Sequence, residues 1–252
     1  MTLPDALLRV PILLALLTGP PAVPADPGPQ GPPDSGPHPQ GEESQHEHAG
    51  TSHRRFDDIE HWIGVFDDAA RDEWQMPERV VRELGIGAGD RVVDLGAGTG
   101  YFSVRLARAI LPGGALLAVD TEPGMVRHLA ERSAAESIPN LTPVLALPDD
   151  PMLPPAGADL VFLCDTYHHI DDRVEYLRRL RDDLRAGGRV ALIDFHKREM
   201  PVGPPLEHKL ARDHVLSEFE EAGYGLAEEK DFLPYQYFLI FRPRPEGPTL
   251  PP

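Results

Sequence analysis

Residues 92–102 read VVDLGAGTGYF. An apolar run ends in an acid, and glycines follow at 96, 98 and 100. Glycines this close together let a backbone approach a ligand that a Cβ would exclude. The flanking pattern fixes what the loop belongs to. RVVDL (91–95) reads as a strand and YFSVRLARAIL (101–111) as a helix, and the alternation then repeats. Strands are expected at 115–120, 141–147, 159–164 and 189–195, and helices over 122–136, 171–186 and 206–222. Pro143 predicts an irregular or edge position for the third strand. Two closing strands near 225–232 and 235–242 are joined too tightly for a crossover, so they predict an antiparallel hairpin. Continuous apolar strands between amphipathic helices imply a parallel sheet covered on both faces. The expected fold is α/β: a Rossmann-like three-layer sandwich on a mostly parallel seven-stranded sheet with an antiparallel C-terminal strand.

Ahead of this domain, over residues 77–244, lie three stretches of other character. Residues 1–25 carry Arg9, a short apolar run VPILLALL (10–17) and AVPA (22–25), the layout of a secretory signal cleaved after Ala25. The run is too short to span a bilayer, so no stable membrane span is expected. Residues 26–55 are rich in Pro, Gly and polar residues and read as a disordered linker. Its His38, His46, His48 and His53 sit in a solvated tract rather than at metal-ligand spacing. Over 56–76, Ile59, Trp62, Ile63 and Phe66 mark one face of a helix. That segment is expected to form a helical lid, with Trp62, Phe66 and Trp74 either enclosing a substrate or anchoring it to the core. Residues 245–252 read as a disordered tail. An intact leader implies export to the periplasm or beyond, and its absence a cytoplasmic protein.

The net charge is −17, which disfavours nucleic acid or an anionic membrane as the main partner, since both need a basic face. One cysteine, Cys164, rules out an intrachain disulfide and a Cys-rich zinc site. Three ligands compete for the glycine loop. A phosphate-binding P-loop needs Gly-Lys-Ser/Thr, but Tyr101 follows Gly100. A dinucleotide loop needs Gly-x-Gly-x-x-Gly, which glycines at 96, 98 and 100 fit poorly, although Asp120 stands where a ribose-binding acid belongs.

The third reading fits in order and spacing. Asp94-Leu95-Gly96-Ala97-Gly98-Thr99-Gly100, LLAVD ending at Asp120, ALPDDP (146–151) and DLVFLCDTYHHI (159–170) together resemble the class I methyltransferases that use S-adenosylmethionine, in their small-molecule and quinone-biosynthesis branch. The resemblance covers roughly residues 77–242. It implies that Gly96, Ala97, Gly98 and Gly100 cradle the cofactor. It also implies that Asp94 orders the loop on the ammonium side and that Asp120, followed by Thr121, takes the ribose hydroxyls. Asp149 or Asp150 would stand beside the adenine, and Cys164 would end the fourth strand on the cofactor side. For Asp94 and Asp120, capping of the following turn or helix is the plainer role. S-adenosylmethionine has no phosphate, so the loop needs no lysine or arginine.

The acceptor side is less determined. Tyr167, His168 and His169 follow the fourth strand at the same sheet edge, and a histidine titrates near neutrality, as a base must. Adjacent histidines point differently, so a metal held with Asp165 is not expected. IDFHKREMPVGPPLEHK (193–209) follows the fifth strand and adds His196 and His208. The expected partner is a small-molecule methyl acceptor. An exported binding protein that kept the fold and lost the chemistry is the competing reading, and a nicotinamide oxidoreductase is disfavoured by the glycine spacing.

Overall fold

The computed structural model describes residues 59–245. The leader over 1–25, the linker over 26–55, residues 56–58 and the tail from 246 lie outside the described residues.

The seven-stranded sheet runs β3-β2-β1-β4-β5-β7-β6. Its strands are β1 (Arg91–Leu95), β2 (Ala115–Asp120), β3 (Leu141–Leu145), β4 (Ala158–Cys164), β5 (Leu184–Phe195), β6 (Tyr224–Lys230) and β7 (Gln236–Pro243). The pairs from β3 through β5 are parallel; β7 is antiparallel to both neighbours. β3, with its proline, is the edge strand, where a missing N–H costs least. The chain order reverses between β1 and β4, which places a ligand crevice at the carboxyl ends of these strands.

Alternate residues of the central strands feed two cores. One face packs Val92, Leu116, Leu160 and Ile193 against α3 (Pro77–Glu83), α4 (Ser103–Ala109) and Leu129 of α5 (Pro123–Ala135). The other packs Val93, Val161, Leu192 and Leu239 against α6 (Arg173–Asp183) and α7 (Arg212–Glu221). Two short helices, α1 (Ile59–Phe66) and α2 (Arg71–Gln75), precede them. No helix among the described residues is long and apolar enough to cross a membrane.

Two elements differ from the pattern read in the sequence. The sixth helix stops at Asp183, and Leu184 already belongs to β5. Leu184 bridges Ala158 across a bulge and is buried in the second core, so Gly187 and Gly188 sit inside an irregular strand rather than ending a helix. A Cβ on Gly188 would lie 2.9 Å from the Ala158 carbonyl oxygen, a close approach that requires glycine. The helix expected over 206–222 is broken into a single 3-10 turn, Leu206–His208, and α7. Between them Lys209 is extended and almost fully buried.

Phe219 of α7 is fully buried, stacked on Phe241 at 3.7 Å between ring centroids and flanked by Tyr167 and Tyr224. Phe219→Ala should cost about 3–5 kcal/mol in urea unfolding, since these aromatic neighbours cannot close the cavity.

Candidate cofactor and acceptor site

The glycine loop is built by backbone bonds. The Gly96 and Ala97 amides donate to the Val119 carbonyl at 2.8 and 2.9 Å, and Gly100 donates to Ala97. Gly96, Gly98 and Gly100 all have positive φ, at 75°, 53° and 88°. Asp120 closes the loop from β2. One carboxylate oxygen accepts from the Gly98 amide at 2.8 Å and the other from the Glu122 amide at 2.9 Å. It therefore caps the start of α5, and each oxygen keeps a lone pair for a further donor. Burial raises its pKa, against the backbone amides of Glu122 and Gly98, which lower it. Thr121 beside it is exposed.

Asp94 is buried and accepts from the Ser103 hydroxyl at 2.5 Å, tying the end of β1 to the first turn of α4. Burial pushes its carboxyl up to about 7. Cys164 ends β4 beside it, and burial pushes its thiol up, which keeps it protonated. Thr166 fills the space over Gly96: a Cβ there would lie 2.3 Å from the threonine side chain. The loops after β1 and β4 thus meet with no room for a side chain between them.

The segment before the sheet closes over this loop. The Phe66 ring lies where a Cβ on Gly98 would meet it at 3.5 Å, and Ile59 lies over Gly124. Asp67 accepts from the Thr99 hydroxyl and from Arg132, both at 2.8 Å. Arg71 of α2 reaches deeper: it pairs with Asp165 at 3.3 Å and lies over the Tyr101 ring at 4.2 Å. Gln75 donates to Gln236, and Gln236 donates to Asp165 at 2.6 Å. Asp165 has a φ of 57°, a backbone strained for a residue with a Cβ, and burial lifts its carboxyl to about 6 against the Arg71 charge. Trp74 packs on Phe195 and Tyr235. Arg71, in the polar helix α2, and Asp67, in the turn before it, had no signal in the sequence, because charged residues in such a segment read as a solvated face.

Beyond β4, His168 is the engaged histidine. Its Nδ1 lies 3.0 and 2.9 Å from the two oxygens of Asp194, which is fully buried on β5. Burial disfavours the imidazolium, but the Asp194 carboxylate overrides it and the His168 pKa is raised. With Nδ1–H donating to Asp194, Nε2 keeps its lone pair, and no hydrogen bond joins it to another described residue. Asp194 was missed in the sequence. The signal was present, since RVALIDF places an acid at the end of an apolar strand as VVDL and LLAVD do. His169 is exposed, its ring 4.2 Å from that of His168.

The structure separates other expected residues from this group. Tyr167 faces the second core instead of the acceptor side: it is fully buried and its hydroxyl donates to Glu218. Its neighbour His168 points the other way round the 3-10 turn, which is why one reaches β5 and the other α7. Asp150 accepts from the Met152 amide in its own turn, and Asp149 is exposed, 3.9 Å from Arg179; neither bonds to the glycine loop. His208 is exposed, and no group of three ligating side chains among the described residues could hold a metal.

Comparison with known proteins agrees with this geometry. Residues 93–190 match the family model described as a methyltransferase domain. Over that span the chain is similar to the class I methyltransferases that use S-adenosylmethionine. It is 28% identical to the 27-O-demethylrifamycin SV methyltransferase of Amycolatopsis mediterranei over 142 residues, 55% of this chain and 51% of that one. It is 28% identical to a ubiquinone/menaquinone biosynthesis C-methyltransferase of Pasteurella multocida, over 48% of this chain and 45% of the relative. The chain thus spans about half the length of these curated relatives. A SAM-dependent methyltransferase from Aquifex aeolicus superposes with a TM-score of 0.69 and 25% identity, covering 72% of this chain and 96% of that one.

The cofactor of the family is S-adenosylmethionine, and the residues of the methyltransferase domain fit it. The loop offers backbone amides and three carboxylates, Asp94, Asp120 and Asp165, which suit a ligand with an ammonium, a sulfonium and a diol and without phosphate. The two inner glycines test the cradle. Gly98→Ala should cost roughly 1–2 kcal/mol, the strain of its left-handed backbone, because its Cβ meets only ordinary contact. Gly96→Ala should lower Tm further and abolish S-adenosylhomocysteine binding, because it must also displace Thr166; Thr166→Ala in that background should restore part of the Tm. Thermal melts with and without ligand read both.

Proposed function

We propose that this chain transfers the methyl group of S-adenosylmethionine to a proton-bearing small-molecule acceptor, with His168 as the base and Asp194 as its orienting acid. The observation that carries the reading is the pairing of an intact glycine cradle, held by Asp120, with a buried His-Asp pair at the same sheet edge. When bound, the cofactor supplies an activated methyl group on a sulfonium, so the protein's work is alignment, exclusion of water and removal of the acceptor's proton. Asp120 would hold the ribose hydroxyls with the lone pairs left free by Gly98 and Glu122. Asp94 and the backbone at Gly96 to Gly98 would set the cationic end, with Asp165 bounding the acceptor side. His168 Nε2 would take the acceptor proton while Asp194 stabilises the imidazolium that forms. The roof made by Phe66, Asp67 and Arg71 has to open for the cofactor to enter, which makes it a lid in function.

A leader of secretory layout favours an exported location. Sequencing the N-terminus of the protein from its own cells tests this: a start at Asp26 supports export, and a start at Met1 contradicts it.

The chemistry is tested in two steps. Calorimetry should show S-adenosylhomocysteine binding to the full chain, weakened at least tenfold in Asp120→Asn, with NAD as a control that does not bind. A folded protein that binds neither would overturn the methyl-transfer reading and favour an exported binding protein. An acceptor screen then allows His168→Gln to be assayed, with kcat expected to fall by about 10²–10⁴. The pH profile gives a sharper test of Asp194. His168 works when neutral, so its raised pKa puts the acid limb of the rate above pH 6.5. Asp194→Asn removes the charge that raises it, so the limb should move to lower pH while the plateau falls. An unmoved limb would mean that another group is the base.

A further inference from the structure

The loop after β5 carries cations that no carboxylate among the described residues pairs. His196, Lys197, Arg198, Ala211 and Arg212 line a pocket of about 290 Å³. Arg212 is held by Glu229 and Asp213. Among the described residues Lys197 and Arg198 have no carboxylate partner, and Arg198 donates only to the Pro234 carbonyl. Beneath them Lys209 is 2% exposed. Its ammonium donates to the Arg198 carbonyl at 2.9 Å and lies 5.9 Å from the Phe195 ring centroid, with no carboxylate paired to it. A buried ammonium with one carbonyl for three protons is costly, and its field is little screened. This lysine stands at the break in the expected helix over 206–222.

The position matters as much as the charge. His196 follows Asp194 by two residues, and its ring lies 5.7 Å from that of Tyr237, the β7 residue paired with Asp194. The pocket therefore lies at the end of β5, the strand that carries Asp194. The Tyr237 hydroxyl is buried with no partner in the structure. Burial and the nearby Arg198 lower the His196 pKa, with Arg212 adding to this and Glu229 opposing it, so His196 is neutral at pH 7 and serves as a hydrogen-bond donor.

We infer that this pocket binds an anionic group of the methyl acceptor, a carboxylate or a phosphate, through Lys197 and Arg198 at its mouth, His196 at its wall and the field of Lys209 beneath. The inference rests on the methyl-transfer reading above and narrows its substrate to acids. It places the anion at the end of β5 and the reacting atom toward His168.

Inorganic phosphate and benzoate serve as the two probes, titrated into the full chain while the His196 ring shifts are followed by NMR. Saturable binding with a Kd on the order of 1 mM is expected for at least one of them, and which one saturates tells phosphate from carboxylate. Lys197→Gln/Arg198→Gln should weaken it at least fivefold. Arg178→Gln/Arg179→Gln, which removes the same charge from the exposed side of α6, should leave it unchanged. Absence of saturation in the wild type, or equal weakening in both double variants, overturns the pocket. S-adenosylhomocysteine titrated into the same samples separates the two readings. Its binding without anion binding leaves the methyltransferase standing and removes the acidic acceptor. Anion binding without it overturns the methyltransferase and, with it, the assignment of the pocket to a methyl acceptor.

Discussion

Asp120 holds two loops with one carboxylate, and the site depends on that economy. The Gly98 amide and the Glu122 amide face each other across the end of β2, and neither has a backbone partner that the sheet or helix would supply. Without the acid, these two half-buried donors would lose their acceptor. With it, the glycine loop is fixed before any ligand arrives, so binding need not order it. The Val119 carbonyl, taking two amides from the same loop, finishes the work from the backbone side. The cradle is thus a property of how β1 and β2 end side by side, which their parallel register sets.

The carboxylates at this edge would repel one another if all were ionised. Burial raises Asp94, Asp120 and Asp165, and the cations that answer them come from different places. Arg71 arrives from α2 and meets Asp165; His168 arrives from the turn after β4 and meets Asp194. A bound sulfonium and ammonium would add positive charge beside Asp94 and Asp120, which no cation among the described residues pairs directly. If the cationic end of the cofactor lies against Asp94 as proposed, binding and ionisation of Asp94 would be coupled, since a carboxyl lifted to about 7 is one whose charge a cation can draw out near neutrality.

Much of the scaffold was legible because it repeats. Apolar strands of five to seven residues alternate with amphipathic helices, and glycines punctuate the ends, so element type and order followed from periodicity alone. The edge position of β3 followed from Pro143, and the closing hairpin from a turn too short to cross the sheet. The boundaries that failed have tertiary causes: Leu184 leaves its helix to bury against Ala158, and Lys209 leaves its own to meet the Arg198 carbonyl. Of the site, the glycine loop and the strand-end acids Asp94 and Asp120 stood out because their types are wrong for where they sit, while Asp194, of the same kind on β5, went unread. Tyr167 was misplaced because a 3-10 turn sends neighbouring side chains to opposite faces, and spacing does not reveal which goes where. Asp67 and Arg71 were illegible, since a polar segment over a ligand site and a polar segment in water have the same composition.

That asymmetry follows from how the fold divides its labour. The cofactor is met by strand ends and backbone, whose geometry the sheet dictates, and so the sequence pattern carries it. In the proposed reading the acceptor would be met by the turn after β4, the loop after β5 and the roof, whose side chains answer only to one another. Their chemistry is visible instead as violations of local rules: a left-handed aspartate at 165, a buried lysine at 209 and an orphaned hydroxyl at 237. Each costs stability that a scaffold alone has no reason to give up. All three belong to the β4–β5–β7 half of the sheet, at the same carboxyl edge as the glycine loop, and that is where selection for a particular acceptor would leave its mark.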